Sequence, residues 1–368
     1  MEDLEKLIPV TKTFVPPIEE YTSQIKRAFD KGWLTNRGAL TIELEEKLKD
    51  YLEVPHINLM ANGTLPLQIA LKLLGGNSEV ITTPFSYVAT TSAIVWENCT
   101  PVFVDIHPEY LTIDESKIEA AITKNTTCIL ATHVFGNPCD VEEINRIAKK
   151  HNLNVIYDAA HCFGVRYKDK SIFEYGDIST ISFHATKLFH TGEGGALFAS
   201  DFNLQHKSYY SHNFGHNGAE NYFGVGINAK MSELQAAMGL TVLPYINEIQ
   251  KARNKVVDYY IDKLNWNSLD RIKIRNGTEW NYSYFPVIFK SEEVLLEVVN
   301  VLNNEGVFPR RYFYPSLNNL QFVENCLMVN SDSISSRILC LPLYVGLNKV
   351  SQDSIIKLIN NIINSYSC

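Results

Sequence analysis

Lys187 stands in the stretch TISFHATKLFHTGEGGAL, after an apolar run from Ile178 to Phe183 and before a glycine-rich turn. A lysine set among small and polar residues, away from other charges, is placed for imine chemistry rather than for solvation. Upstream, VIYDAAH (Val155 to His161) delivers Asp158 at the carboxyl end of an apolar strand, where open α/β sheets gather ligand groups. A lysine that forms a Schiff base and a carboxylate that holds a pyridinium nitrogen are the two parts a pyridoxal phosphate (PLP) site requires.

Other segments fit the same chemistry, each with a plainer alternative. In MANGTLPLQIAL, Asn62, Gly63 and Thr64 precede a helix with Pro66 in its first turn, a position proline tolerates. That turn reads either as a simple N-cap or as a phosphate cradle of backbone N–H groups at the positive end of a helix dipole. Phe85, just past a strand end in TTPFSYVATTSAI, reads as core or as a ring stacking on the cofactor. Ser182, on the same strand-turn element as Lys187, brings a hydroxyl within reach of the phosphate. His161 reads as a buried ring, as a partner of the cofactor's phenolic oxygen, or as a ring stacking on the cofactor. His184 reads as loop packing or as a hydrogen-bond donor to a substrate oxygen. No spacing of residues suggests a metal site.

These residues need strands and helices to hold them. Strand candidates are Ile57 to Met60, Val80 to Thr83, Val102 to Ile106, Cys128 to Thr132, Val155 to Asp158, Ile178 to Phe183 and Ala196 to Ala199. Helical patterns alternate with them, as in Asp140 to His151, where Val141, Ile144, Ile147 and Ala148 share a face, and in Glu43 to Leu52, with Leu44, Leu48 and Leu52 in register. The alternation predicts an α/β fold with a mainly parallel seven-stranded sheet covered by helices. After Met231 a long helical stretch runs from Ser232 toward Leu264, broken near Pro244, where a hydrogen bond is lost. A strand-like run (Tyr282 to Phe289) and two helices (Glu292 to Glu305, Ser351 to Ser365) follow. We therefore expect a large PLP-binding domain over 1–245 and a small α+β C-terminal domain over 246–368.

Composition narrows the class. The 368 residues are 45% hydrophobic and 20% charged, as in an ordinary globular protein, and the formal net charge of -8 gives no footprint for nucleic acid. The N-terminus MEDLEKLIPV lacks the basic flank and apolar core of a signal peptide, and no apolar run approaches the ~20 residues that span a bilayer. Seven cysteines are scattered without a C-x-x-C pair, which suits reduced thiols in a cytoplasmic enzyme.

Taken together, ANGTLPLQIAL, TTPFSYVATTSAI, HVFGNPCDV, VIYDAAHCFG, SFHATKLFHTGEGGAL and GINAKMSELQAAMGL resemble the DegT/DnrJ/EryC1/StrS sugar aminotransferases, from WLTNRGAL to LPLYVGL. The resemblance implies an aspartate-aminotransferase-like fold, a homodimer with active sites at the subunit interface, and transfer of an amino group from glutamate to a nucleotide-linked keto sugar. It implies that Lys187 carries the Schiff base, that Asp158 pairs with the pyridinium nitrogen, and that Gly63, Thr64 and Ser182 hold the phosphate. Asn228 matches the asparagine contributed by the neighbouring subunit, its plainer reading being a cap within its own loop. His184 with Glu193-Gly194-Gly195 resembles members that aminate C-4 of a dTDP-linked 4-keto-6-deoxyhexose, and so points toward O-antigen or lipopolysaccharide sugars. Amination at C-3, a GDP- or UDP-linked substrate, a plain amino-acid aminotransferase and a non-catalytic PLP-binding regulator remain as alternatives. The chain departs from the family pattern at Lys230, where most members have Arg, at His161, where many have Gln, and at Arg37-Gly38-Ala39, where Gly-Pro is common. Dehydratases of this fold replace the lysine with histidine; its presence here favours transamination.

Overall fold

A computed structural model describes residues 7–366. Seven strands form the central sheet: β1 (Ile57–Met60), β2 (Glu79–Thr82), β3 (Thr100–Phe103), β4 (Thr126–Thr132), β5 (Asn154–Asp158), β6 (Ile178–Ser182) and β7 (Gly195–Ala199). Their spatial order is β1-β7-β6-β5-β4-β2-β3, parallel throughout except for β7, which runs antiparallel to both β1 and β6. Most residues of these strands are buried, as a sheet covered by helices on both faces demands. β5 is the fourth of the seven strands, and Asp158 ends it, in register with Thr132 of β4 and Thr180 of β6.

The large layer carries α1 (Ile18–Lys31), α2 (Ala39–Leu52), α3 (Thr64–Leu74), α4 (Val88–Trp96), α5 (Val141–His151), α6 (Phe202–Ser211) and α7 (Glu233–Val242). The expected stripe of α5 is buried at Val141, Ile144, Ile147 and Ala148. Asp140 caps that helix by accepting from the Glu143 N–H, and acidic residues in the first turn with basic ones in the last complement the dipole. α2 buries Leu44, Leu48 and Leu52 as the spacing predicts. Its first turn has no local cap; instead Glu233 of α7, itself 1% exposed, accepts from the Leu40 N–H (2.7 Å), the Thr41 N–H (3.0 Å) and the Thr41 hydroxyl.

The break at Pro244 is a single 3₁₀ turn (Leu243–Tyr245) between α7 and α8 (Ile246–Lys263). The start of α8, at Ile246 and Ile249, still packs into the large core, whereas Val256 and Val257 open a second one. That second core lies between α8, α9 (Glu292–Asn304), α11 (Lys349–Ser365) and an antiparallel sheet of β8 (Leu269–Arg271), β9 (Pro286–Phe289) and β10 (Ile338–Cys340). A further helix, α10 (Val329–Arg337), precedes β10.

Two strands are shorter than their apolar runs. β3 ends at Phe103 because the Asp105 carboxylate turns to accept from the N–H groups of Ile106, Asn330 and Ser331. β9 begins only at Pro286, because the carbonyls of Tyr282 and Ser283 are taken by the buried guanidinium of Arg253. All cysteines among the described residues are free, and no helix among them is long and apolar enough to cross a membrane.

Glu233→Ala would strand the three donors at the start of α2, and should lower stability by about 2–3 kcal/mol. Chemical denaturation of the two proteins, compared at equal slope, measures the loss.

Candidate active site

The carboxyl ends of β5 and β6, the turn after β1, the start of α4 and the C-terminal domain enclose a cavity of about 420 Å³. Lys187 and Asp158 both line it, as do Gly63, Thr64, His161, Ser182 and His184. Sequence positions spread over more than a hundred residues thus meet in one place.

Asp158 is 5% exposed. Its Oδ2 accepts from the Thr90 hydroxyl (2.6 Å) and its Oδ1 from the Ala160 N–H (3.1 Å). Thr90 shares a hydrogen bond with Ser86 (2.7 Å), which in turn accepts from Thr132 at the end of β4 (3.1 Å). Burial raises the carboxyl pKa, and the Thr90 and Ala160 donors with the Lys187 charge act against that rise.

Lys187 is reached through a loop laced to itself. Phe183 N–H donates to Gly194 O, Ala185 N–H to Gly192 O, Thr191 N–H to Phe183 O and Lys187 N–H to His184 O. The Lys187 ammonium donates to the Tyr284 hydroxyl at 3.4 Å and lies 5.6 Å from the centre of its ring. Its side chain is in partial contact with the cavity yet surrounded by protein, and this burial depresses its pKa, with Asp158 opposing the shift.

His161 has a fixed role in hydrogen bonding. Its Nδ1 accepts from the Phe135 N–H (3.0 Å), so the neutral ring carries its proton on Nε2, and burial keeps the ring neutral. Phe313 stacks nearly parallel to it (3° at 5.8 Å), and Tyr284 meets it edge-on at 4.8 Å. His161 therefore offers one N–H as a donor.

The turn at Gly63 is a close approach. A Cβ there would lie 2.6 Å from the Ser182 Cβ, and one on Gly195 would lie 2.4 Å from the Asn62 carbonyl oxygen. Both glycines let the β1 turn press against β6 and β7. The cap reading of the Asn62-Gly63-Thr64 turn is met: Asn62 Oδ1 accepts from the Thr64 and Leu65 N–H groups at 2.9 and 3.0 Å. The N–H groups expected to face a phosphate are thus partly engaged, and a phosphate would exchange with the Asn62 amide. Glycine close to Ser182 and hydroxyls of Thr64 and Ser182 beside a helix N-terminus suit an anionic group of that kind.

Two expected residues fall elsewhere. Phe85 is fully buried against Phe135 and Phe313 and does not line the cavity. Tyr87, two residues on, does line it. Asn228 is exposed, accepts from Lys230 Nζ at 2.7 Å, and is absent from this chain's own cavity lining. His184 accepts from the Thr186 N–H at Nδ1 (3.2 Å), leaving Nε2 toward the Glu193 carboxylate at 3.6 Å. Glu193, Tyr284, Arg310, Tyr312 and Phe313 complete the wall.

The C-terminal domain is fastened to this wall. Asn281 donates to the His161 and Phe163 carbonyls (2.8 and 2.9 Å), and the Ser283 hydroxyl donates to His161 O (2.6 Å). Arg253 then locks the Tyr282–Ser283 backbone from behind, which fixes where Tyr284 stands.

Residues 17–360 match the model of the DegT/DnrJ/EryC1/StrS aminotransferase family. The chain is 41% identical to a dTDP-4-amino-4,6-dideoxy-D-glucose transaminase of Shigella dysenteriae, over 98% of this chain and all of that protein. It is 37% identical to an Escherichia coli protein of the same name, over 96% and 98% of the two chains. The solved structure of DesI, determined in the presence of its TDP-sugar product, superposes with a TM-score of 0.90 at 29% identity, covering 98% of this chain and 93% of that one.

The opposition between burial and Asp158 gives a signed expectation. Asp158→Asn removes the carboxylate that holds the Lys187 proton on, so in cofactor-free protein the amine should deprotonate at lower pH than in the parent. The pH dependence of Lys187 acylation, followed by peptide mass spectrometry, reads this directly; a raised midpoint would contradict it.

Proposed function

The chain belongs to the DegT/DnrJ/EryC1/StrS aminotransferase family, a PLP-dependent family of sugar aminotransferases, and from that premise we propose that it moves an amino group from glutamate to C-4 of dTDP-4-keto-6-deoxyglucose. The observation that carries the reading is Lys187 and Asp158 in one cavity, with Gly63, Thr64 and Ser182 gathered at the N-terminus of α3. The names of the Shigella and Escherichia relatives support this sugar and this carbon.

PLP, when bound, supplies an electron sink for the carbon that loses its proton. The protein's part is to hold the reacting groups and to move that proton. Asp158, oriented by the Thr90 hydroxyl and the Ala160 N–H, would hold a proton on the ring nitrogen. His161, with its free Nε2–H, would hold the phenolic oxygen, Tyr87 would contribute an aromatic side chain to the cofactor's pocket, and Thr64 and Ser182 would hold the phosphate. Lys187 takes the proton from the α-carbon of the donor and later returns one to C-4 of the sugar. A base must be neutral to act, and the burial that depresses the Lys187 pKa serves that need. Tyr284 steadies the amine from the C-terminal domain.

His184 and Glu193 face each other at the cavity wall, both well exposed. A sugar hydroxyl set between an N–H donor and a carboxylate is paired at both ends, and such pairing discriminates far better than apolar contact. Their placement supports recognition of the sugar beside the reacting carbonyl.

The working form is a homodimer in the cytoplasm, making an amino sugar for a surface polysaccharide. In support, Asn228 lies on an exposed segment that also shows Tyr222, Phe223, Val225 and Ile227 to solvent, more apolar surface than a lone loop ordinarily carries. In the partner, that segment would bring Asn228 to the phosphate.

Incubation of the protein with PLP, glutamate and a panel of keto-sugar nucleotides, with NMR of the products, should give a dTDP-linked 4-amino-4,6-dideoxyhexose. An amine at C-3, or turnover confined to GDP- or UDP-linked sugars, would overturn the substrate assignment. Lys187→Ala should show no turnover while still binding PLP. Asp158→Ala should lose on the order of 10²–10³-fold in rate without unfolding, measured by steady-state kinetics beside circular dichroism. Sedimentation should find the activity in the dimer; an active monomer at assay concentration would exclude the shared site.

A further inference from the structure

The adjacent arginines of FPRRYFYP have opposite fates. Arg311 is committed to the fold: it donates to the Glu292 carboxylate (2.5 Å) and the Ser336 carbonyl (2.9 Å), and lies 3.6 Å from the centre of the Tyr314 ring. Arg310 lines the catalytic cavity. Its backbone is clamped on both sides to Cys340, donating to it at 3.2 Å and accepting from it at 2.8 Å. Its guanidinium makes no ion pair with any described residue. Among the described residues lining the cavity, Lys187 and Arg310 are the only lysine and arginine. A guanidinium on a rigid backbone, with its donors free at a ligand cavity, is a receptor for an anion.

Its position restricts which anion. The Arg310 guanidinium carbon lies 5.5 Å from the centre of the Tyr312 ring, Tyr312 meets Tyr284 edge-to-face at 5.4 Å, and the Tyr284 hydroxyl contacts Lys187 Nζ. The reacting amine and the free guanidinium therefore flank one pair of tyrosines. In an amino acid, the α-carboxylate is bonded directly to the carbon that gives up its proton, so its receptor has to stand within a side chain's reach of Lys187. In a nucleotide sugar, the diphosphate is separated from C-4 by the sugar ring, and its counter-charge has to lie farther off.

We infer that Arg310 is the specificity residue for the amino donor, binding its α-carboxylate beside Lys187. The inference rests on the aminotransferase reading and adds what makes the donor an α-amino acid rather than a simple amine.

The test compares L-glutamate with 4-aminobutanoate, which is glutamate without the α-carboxylate. Each is mixed with PLP-loaded enzyme, and the cofactor's absorbance change is followed at increasing donor concentration. The parent should favour glutamate. In Arg310→Gln that preference should collapse on the order of 10- to 100-fold, through weaker glutamate binding, as expected for loss of a charge-assisted pair. Arg310→Lys, which keeps the charge without the fork, should fall between the two. Enzyme loaded with pyridoxamine phosphate and titrated with the keto-sugar nucleotide should lose much less.

An unchanged glutamate preference in Arg310→Gln would overturn the inference. So would a loss confined to the sugar nucleotide, which would move the residue to the diphosphate. Should Arg310→Gln fail to load PLP, Arg310→Lys decides by the same ratio. A parent enzyme that reacts with neither donor nor sugar would instead count against the aminotransferase reading itself.

Discussion

A carboxylate buried at the end of the middle strand of a sheet is the constraint around which this protein is arranged. Asp158 meets no arginine within ion-pair distance among the described residues, and its stabilisation comes from one hydroxyl, one N–H and the more distant Lys187. An ionised group so placed is costly unless its partners are prearranged. The chain Thr132–Ser86–Thr90 supplies that arrangement by linking the ends of β4 and the start of α4 to the same oxygen. The same oxygens line the cavity, so a cationic group bound there would meet a carboxylate whose position is already fixed.

The neighbouring aromatic groups serve a different end. Phe85, Phe135 and Phe313 form a buried wedge behind His161, and Tyr284 and Tyr312 close its open side. Edge-to-face and offset contacts of this kind hold rings in one orientation. Here they hold the imidazole whose Nδ1 is already occupied, so the direction of its remaining N–H is set by packing as much as by hydrogen bonding.

The parts of the site that follow local rules were legible in the sequence. Lys187, Asp158 and Ser182 sit at or just after strand ends, and Gly63-Thr64 opens a helix, so each could be placed from period and punctuation. The aromatic ring at the wall could not: Phe85 and Tyr87 are both aromatic residues after one strand, and only Phe135 and Phe313, distant in sequence, decide that the first is core. Tyr284, Arg310 and Tyr312 come from more than a hundred residues further along the chain than Asp158, and the approach of Tyr284 depends on how Asn281 and Ser283 dock. The cap at Asn62-Gly63-Thr64 was legible because an amide at a helix start reaches the N–H groups two and three residues on. In the fold, α6 buries only Ser208 and so carries no apolar stripe by which to be recognised, whereas α5 and the broken α7–α8 helix announced themselves.

The fastening of the 281–283 segment to His161 and Phe163 bears on motion. Three side-chain hydrogen bonds join this segment to the turn after β5 directly at the cavity wall, with Arg253 bracing them. A wide hinge opening would break all of them together and expose buried acceptors. Opening this seam would leave the His161 and Phe163 carbonyls without these donors, a cost that favours keeping it shut while the cavity is filled and emptied.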